Sequence, residues 1–139
     1  MGTKRHVLCD SASVPLSLYV TGANVHDLHG LEEMLLFQQI ERPAHATQVN
    51  LCLDAGYISP DTEGILGNFQ MIGHVRPRGE EKQEKQEGKK ARRWTVERSH
   101  SWINRYRRLL IRWEKRGDIY FGLLCLACAI TTLVQLFPG

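Results

Sequence analysis

Two carboxylates in this sequence stand where they could do chemistry. Asp54 follows the apolar run Val49–Leu53 and precedes Ala55 and Gly56, which let the backbone turn sharply away. Open α/β sheets bind ligands and place catalytic groups at the carboxyl ends of their strands. Glu97 is the only acidic residue in the stretch 90–113, which is rich in arginine. Its carboxylate therefore lies among cations that suit a phosphate.

Each carboxylate also has an ordinary structural explanation. Asp54 could cap a turn, and Glu97 could form a helical ion pair with Arg93, four residues before it. Taken together, two carboxylates from different elements and a basic helix describe a site that holds Mg²⁺, or Mn²⁺, against a nucleic-acid phosphate. Two such ions about 4 Å apart stabilise both the attacking and the leaving oxygen of an in-line displacement. Two carboxylates are few for this task, so a third is expected.

Charge is concentrated in one part of the chain. Residues 89–116 include eleven basic and two acidic residues, a net charge of +9. The remaining residues, seven basic and thirteen acidic, have a net charge of −6. This asymmetry predicts a polyanionic partner, with a solvated basic helix as the alternative. The candidate DNA contacts are Arg92, Arg93, Arg98, Arg105, Arg107, Arg108 and Arg112.

The cysteines and the N-terminus indicate a reduced, cytoplasmic protein. Cys125 and Cys128 have C-x-x-C spacing, but no second Cys/His pair accompanies them, so we predict no zinc site. No signal-peptide apolar region follows Met1. Residues 119–137 carry no charge and approach the length that spans a bilayer. A membrane anchor and a fully buried core helix both explain this segment, and its threonines and glutamine favour the core helix.

Apolar periodicity and turn residues predict an α/β fold with helices packed on a mixed sheet. A hairpin of strands 6–9 and 16–20 precedes a helix over 28–40, which Asp27 caps and whose Leu31, Met34, Leu35 and Ile40 share a face. A strand over 49–53, a helix over 60–66 that Ser59 caps, and a strand over 71–75 follow. The last third consists of a charged linker (79–90), a long basic helix (92–115) and an apolar helix (119–137).

Four segments resemble the DDE transposases of bacterial insertion sequences, in the order in which the family has them. They are GTKRHVLCD, PLSLYVTGANVHD, LDAGY and KKARRWTVERSHSWINRYRRLLIRWEK. The resemblance extends over nearly the whole chain and implies an RNase H-like fold in which three acids bind two divalent ions. It implies that Asp54 is the second acid and Glu97 the third, and that Arg93 is the family's arginine four positions before the glutamate.

The sequence departs from the family in three places. Lys90 stands where the family often has tyrosine, and Asn104 stands where it often has lysine, with Arg105 one step further on. The family's first aspartate lies on a central strand that precedes the GTKRH segment, whereas Asp10 and Asp27 match non-catalytic positions. We therefore expect residues 1–139 to form a partial catalytic domain that lacks this strand. An upstream open reading frame, joined by frameshifting, would supply it, unless the chain is a truncated remnant.

The resemblance implies a role in DNA transposition. Water would cut the transposon end, and the freed 3′-hydroxyl would attack target DNA, once the upstream segment completes the site. The expected partners are double-stranded DNA (transposon ends and target), the upstream segment and a possible homodimer partner, in a nucleoid-associated protein without membrane contact. Two alternatives are a non-catalytic DNA-binding remnant, which acts through the basic helix, and a small membrane-anchored protein.

Overall fold

The N-terminal part of the chain forms an antiparallel hairpin. The computed structural model describes residues 2–38, 40, 46–75 and 94–137, with Trp94 as backbone only. Strand β1 (Thr3–Cys9) pairs with β2 (Pro15–Gly22), and the register joins Thr3 to Gly22 and Leu8 to Ser17. In the turn, Asp10 Oδ1 accepts hydrogen bonds from the backbone N–H groups of Ala12 and Val14, at 2.9 and 2.8 Å. The predicted hairpin is confirmed, and both strands are longer than predicted.

Helix α1 (Asp27–Leu36) packs on this hairpin and buries Leu31, Met34 and Leu35. Its N-cap is His26 and not Asp27 as predicted, because His26 Nδ1 accepts from the Leu28 N–H at 3.3 Å. The predicted end at Ile40 was also wrong. The helix ends at Leu36, and the ring of the following Phe37 stacks on Tyr19 of β2 with 5.8 Å between centroids. Ile40 is 48% exposed and does not belong to the core.

A second sheet positions Asp54. Strand β3 (Val49–Leu53) pairs in parallel with β4 (Met71–Val75), in a register that joins Val49 to Met71 and Leu53 to Val75. Helix α2 (Pro60–Asn68) connects them, and Ser59 Oγ caps it by accepting from the Asp61 N–H at 3.3 Å. The predicted strands, helix and cap are confirmed. Leu66 packs directly on Gly73, where an added methyl group would lie 2.5 Å from Leu66 Cδ1.

Two apolar cores lie on the two faces of the hairpin. Successive residues of a strand point to opposite faces, so Leu8 and Val7 enter different cores. The first core joins both sheets to α1 and α2 through Leu8, Leu31, Met34, Leu35, Leu51, Leu66 and Met71. The second core holds the C-terminal helices on the hairpin through Ile103, Leu109, Tyr120, Leu124, Ala127 and Cys128. The hairpin is therefore the middle layer of the fold.

The predicted long basic helix over 92–115 was wrong. The described part consists of α3 (Trp94–Ile103) and a single turn, α4 (Arg107–Leu110). Ile103 and Leu109 are both buried in the second core, 0% and 4% exposed. On one straight helix, residues six apart lie about 120° from each other around the axis. The break over residues 104–106 lets both side chains pack against the C-terminal helix. Their burial stabilises the protein more than the helical hydrogen bonds that the break removes.

Helix α5 (Gly117–Leu136) is only partly a core helix. Gly117, the predicted breaker, is its first residue, and one face buries Tyr120, Leu124, Ala127, Cys128 and Thr131. Full burial was a wrong expectation, because the other face leaves Leu126, Leu133 and Val134 more than half exposed. The helix is long and apolar enough to cross a membrane by length and composition, which is weak evidence for a membrane span.

The α/β class with flanking helices is confirmed. No backbone ladder joins β1–β2 to β3–β4 among the described residues, so each of the four strands, β1 and β3 included, has one edge without a strand partner there. This arrangement is consistent with part of an RNase H-like sheet, a topology that remains an expectation. The predicted linker 79–90 and the start of the basic segment, with Arg92 and Arg93, lie outside the described residues.

The contact between α1 and the hairpin leaves no room for a side chain at Gly30. A methyl group added there would lie 2.4 Å from the imidazole of His6. We expect Gly30→Ala to lower the free energy of unfolding by about 1–3 kcal/mol, as overpacked core substitutions do. The measurement is urea unfolding followed by circular dichroism.

Gly64→Ala in α2 is the matched control for Gly30→Ala, because nothing lies within 4 Å of an added methyl group there. This control should stabilise the protein by about 0.5–1 kcal/mol through helix propensity. Equal effects of the two substitutions would contradict the close packing of α1 on His6.

Candidate functional site

Asp54 lies at the carboxyl end of β3, directly before a 3₁₀ turn, Ala55–Tyr57. Its side chain is exposed, and its Oδ1 accepts from the Ala55 N–H at 2.7 Å. The Asp54 carbonyl accepts from the Tyr57 N–H at 3.0 Å and closes the turn. The carboxylate thus caps the turn, as the structural alternative predicted, and is also exposed to solvent, where a cation can reach it.

The turn after Asp54 is fixed to the N-terminal hairpin at two points. Tyr57 Oη lies 3.1 Å from His6 Nδ1 on β1. A methyl group added at Gly56 would lie 3.0 Å from Asp27 Oδ2, so the Asp27 carboxylate lies against the turn. Lys4 Nζ donates to Asp27 Oδ1 at 2.9 Å and to the Val25 carbonyl at 2.8 Å. Alternate residues of β1 therefore support the loop that carries the candidate acid.

Glu97 lies in the first turn of α3, where a negative charge interacts favourably with the helix dipole. Ser99, fully buried, donates from Oγ to the Ser13 carbonyl at 2.5 Å and docks the helix on the hairpin turn. Residues two apart lie about 200° from each other around a helix, so burial of Ser99 turns Glu97 outward. Glu97 is accordingly exposed. Its predicted pairing with Arg93 lies outside the described residues.

The predicted DNA-contacting arginines that the structure describes are exposed, and two of them also have structural contacts. Arg98, Arg105, Arg107, Arg108 and Arg112 are all exposed. The Arg98 guanidinium lies over the Trp102 ring at 5.8 Å. The Arg112 guanidinium lies over the Tyr120 ring at 5.1 Å and donates to Thr3 Oγ1. Arg112 therefore helps to hold the 111–116 segment on the core, a role that charge alone did not indicate.

One cation beside α3 was missed by the sequence analysis. Arg5 on β1 donates from Nη2 to Asn104 Oδ1 at 2.9 Å, and its Nη1 is buried without a hydrogen-bond partner in the described part of the chain. Asn104, the position where the family often has lysine, directly follows the last residue of α3, seven residues after Glu97. Burial, and then the charge of Arg5, lower the pKa of nearby His100. Arg5 belongs to the GTKRH motif, so the sequence did show this cation. Its position beside α3 follows only from the packing of β1 against that helix.

The two candidate acids are supported through opposite faces of one hairpin. Asp54 is tied to the β1 face that contacts α1, whereas α3 packs on the other face. Carboxylate oxygens are the donors that Mg²⁺ prefers, so the chemistry of both residues fits a divalent ion. Within the described residues, however, no three His, Cys, Asp or Glu side chains group closely enough to hold a metal. A metal site at Asp54 or Glu97 would therefore need ligands beyond those that the described residues bring together.

The sequence of the chain matches a known protein family. A family model described as the transposase DDE domain matches residues 1–132. The protein assigned as the transposase of insertion sequence element IS402 in Burkholderia cepacia is 32% identical over an alignment 138 residues long. The alignment covers 93% of this chain and 62% of that protein. The chain thus spans about three-fifths of the length of this curated relative. No solved structure matches the chain.

The capping contact of Asp54 allows its structural role to be measured separately from any chemistry. Asp54→Ala removes the acceptor for the Ala55 N–H, so we expect it to lower the free energy of unfolding by about 0.5–1 kcal/mol. Asp54→Asn keeps an acceptor oxygen and should remain within about 0.5 kcal/mol of the parent protein. Urea unfolding of the three proteins checks this, and an Asn variant as unstable as the Ala variant would contradict it.

Proposed function

The chain belongs to the transposase DDE domain family, and we propose that it supplies the second and third metal-binding acids of a transposase, Asp54 and Glu97. The proposed activity is metal-dependent cleavage of DNA strands at transposon ends and their transfer to target DNA. The observation that carries the proposal is the exposed Asp54 carboxylate, at the carboxyl end of β3 on a turn braced by the hairpin. A carboxylate that only caps a turn does not require such a brace.

In this proposal the protein groups have distinct tasks. Asp54 and Glu97 would hold Mg²⁺ or Mn²⁺, and such ions, when bound, stabilise the charge that develops on the reacting phosphate. The exposed arginines that follow Glu97 would bind the DNA backbone and fix its position relative to the two acids. Arg5, held by Asn104, adds positive charge beside α3. Nucleoid association would follow from this affinity for DNA.

In this proposal the third acid comes from outside the described residues. We propose that an upstream segment adds a strand with an aspartate between β1 and β3. The unpaired edges of these two strands support this, because backbone donors and acceptors at a strand edge are ready to pair with another strand. Both sheets already share the core that contains Leu8 and Leu51, so a strand added between them would extend one layer.

Two further points concern partners. If the protein forms a homodimer, the exposed apolar face of α5 is the surface that would gain most from being covered. A second candidate function is DNA binding without catalysis, which is favoured by the absence of a metal-holding group of side chains among the described residues. The two functions differ in their need for a metal, because catalysis requires Mg²⁺ or Mn²⁺ whereas contacts between arginine and phosphate do not.

DNA binding by the basic segment should depend steeply on salt. If six phosphates are contacted, affinity for duplex DNA should fall on the order of a thousandfold between 50 and 200 mM salt, since each contact contributes about −0.9 to the slope of log K against log salt. The combined substitution of Arg107 and Arg108 by Gln should reduce that slope by about two. Fluorescence anisotropy with labelled duplexes of different sequence measures both effects.

Arg116→Gln is the control for the salt experiment, because the Arg116 guanidinium already pairs with Asp118 at 2.5 Å. We expect this variant to keep a slope close to that of the parent chain. A flat salt titration of the parent chain would exclude the proposed interface.

Catalysis should appear only when the site is complete. The 139-residue chain alone should not cut DNA, and fusion to the upstream segment should restore Mg²⁺-dependent nicking. In the fused protein, Asp54→Asn and Glu97→Gln should each lower the cleavage rate about a hundredfold or more, since even outer-shell changes at metal sites cost 10–100-fold. DNA affinity should stay equal or become slightly tighter, because a negative charge near phosphate is removed.

Asp61→Asn serves as the control for the cleavage assay, since Asp61 is an exposed acid at the start of α2 and lies outside the candidate site. It should leave nicking unchanged. Near-normal cleavage by either candidate variant, in a protein that remains folded, would remove that residue from the proposed site.

A further inference from the structure

We propose that Tyr57 and His6 are positioning residues that hold the Asp54 carboxylate in place for a divalent cation. This inference rests on the proposed function, since it assumes that Asp54 binds metal. It goes beyond that function because it assigns a role to a side-chain pair that touches neither metal nor DNA. The pair connects positions 51 residues apart, through the hydrogen bond between His6 Nδ1 and Tyr57 Oη.

The imidazole of His6 is fixed from several sides. It is 4% exposed, and its second nitrogen, Nε2, lies 2.9 Å from Thr21 Oγ1 on β2. Gly30 of α1 covers the ring so closely that no methyl group fits between them. Both ring nitrogens have a partner in either neutral tautomer, because each hydroxyl can donate or accept. The ring is therefore a rigid point of attachment for whatever binds to it.

The protonation states favour a persistent bond between His6 and Tyr57. Burial lowers the pKa of His6, so the ring is neutral at physiological pH. Burial, with smaller contributions from Asp27 and Asp54, raises the pKa of Tyr57 to about 12, so the hydroxyl keeps its proton. A neutral imidazole and a protonated hydroxyl form an uncharged hydrogen bond.

The tether reaches Asp54 through the backbone of the turn. The Tyr57 N–H donates to the Asp54 carbonyl, and the Tyr57 carbonyl accepts from Thr62 Oγ1 at 2.5 Å. Fixing the Tyr57 ring therefore fixes both backbone groups that define the turn. A three-residue 3₁₀ turn has poor internal hydrogen-bond geometry and holds its shape weakly by itself. Metal ligands have to be held within about 0.5 Å of their working positions, so this turn needs an external support.

The first experiment compares two variants, each of which lacks one of the two hydrogen bonds of the His6 ring. Tyr57→Phe removes the hydroxyl that holds the turn, and Thr21→Val removes the partner of the other ring nitrogen while leaving the tether intact. Mn²⁺ is titrated into the ¹⁵N-labelled chain, and a dissociation constant is obtained from paramagnetic broadening of the Ala55 and Gly56 amide signals. We expect Tyr57→Phe to weaken Mn²⁺ binding about tenfold, as changes behind metal ligands do. Thr21→Val should lower Tm similarly and leave Mn²⁺ binding unchanged.

A second pair of variants tests the same tether from His6. The amide of His6→Asn occupies the place of Nδ1 and can keep the bond to Tyr57, whereas the amide of His6→Gln reaches the place of Nε2 and keeps the bond to Thr21. We expect His6→Asn to retain Mn²⁺ affinity within about twofold and His6→Gln to lose about tenfold. This pair decides the question if Tyr57→Phe does not fold.

The outcomes separate this inference from the proposed function. Broadening in the parent chain that persists in Asp54→Asn would overturn the metal role of Asp54, and the positioning role with it. Broadening that depends on Asp54 but is equally strong in Tyr57→Phe would overturn only the positioning role. Equal weakening by Tyr57→Phe and Thr21→Val would also overturn it, because general loosening of the core would then explain both.

Discussion

The burial of one short hairpin on both of its faces is the constraint on which the rest of this structure depends. Side chains alternate along β1, so Lys4, His6 and Leu8 point to α1 and the second sheet, whereas Arg5 and Val7 point to α3 and α5. Each buried aliphatic side chain contributes about 1.5–3 kcal/mol. A two-stranded hairpin is marginally stable alone, and here apolar contacts on both sides make it the middle layer.

The hairpin also supports the two elements that carry the candidate acids. Asp54 is 43 residues from Glu97 in sequence, and neither acid is buried. Contacts of β1 support the turn after Asp54 through His6, and contacts on the opposite face seat α3 through Arg5 and Asn104. The same hairpin therefore contacts both elements that carry the candidate acids. Polar residues on its two faces hold catalytic candidates, while its apolar residues supply most of the stability.

Two of the candidate functional residues, Arg112 and Asp54, also have structural contacts. Arg112 contacts Tyr120 and Thr3, so one of the basic residues holds the C-terminal segment to the core while it remains exposed to a polyanion. Long cationic side chains commonly combine apolar packing of the stem with a solvated head. Asp54 has a similar double character, because one carboxylate oxygen caps a turn in an otherwise exposed group. A residue with a structural contact can therefore still have a functional one.

Local patterns in the sequence were sufficient for most of the elements. The hairpin, β3, β4 and α2 with its Ser59 cap follow from alternation, turn residues and capping, which act over a few residues. Motif order likewise pointed to the family and to Asp54 and Glu97 as candidates, and the family is confirmed. The two residues' roles stay predictions, since side-chain type shows what a group can bind but not what surrounds it.

Only the tertiary structure decided the features that depend on contacts between distant residues. The basic segment breaks after Ile103 because Ile103 and Leu109 both pack on α5. No residue near the break predicts where α5 lies, so the local sequence does not predict the break. The support of the Asp54 turn by His6 and Tyr57, and the approach of Arg5 to Asn104, join residues 51 and 99 positions apart. The sequence determined which segments form helices and strands, because local backbone and capping preferences act within a few residues. Packing determined which side chains meet, because burial rewards contacts regardless of their separation along the chain.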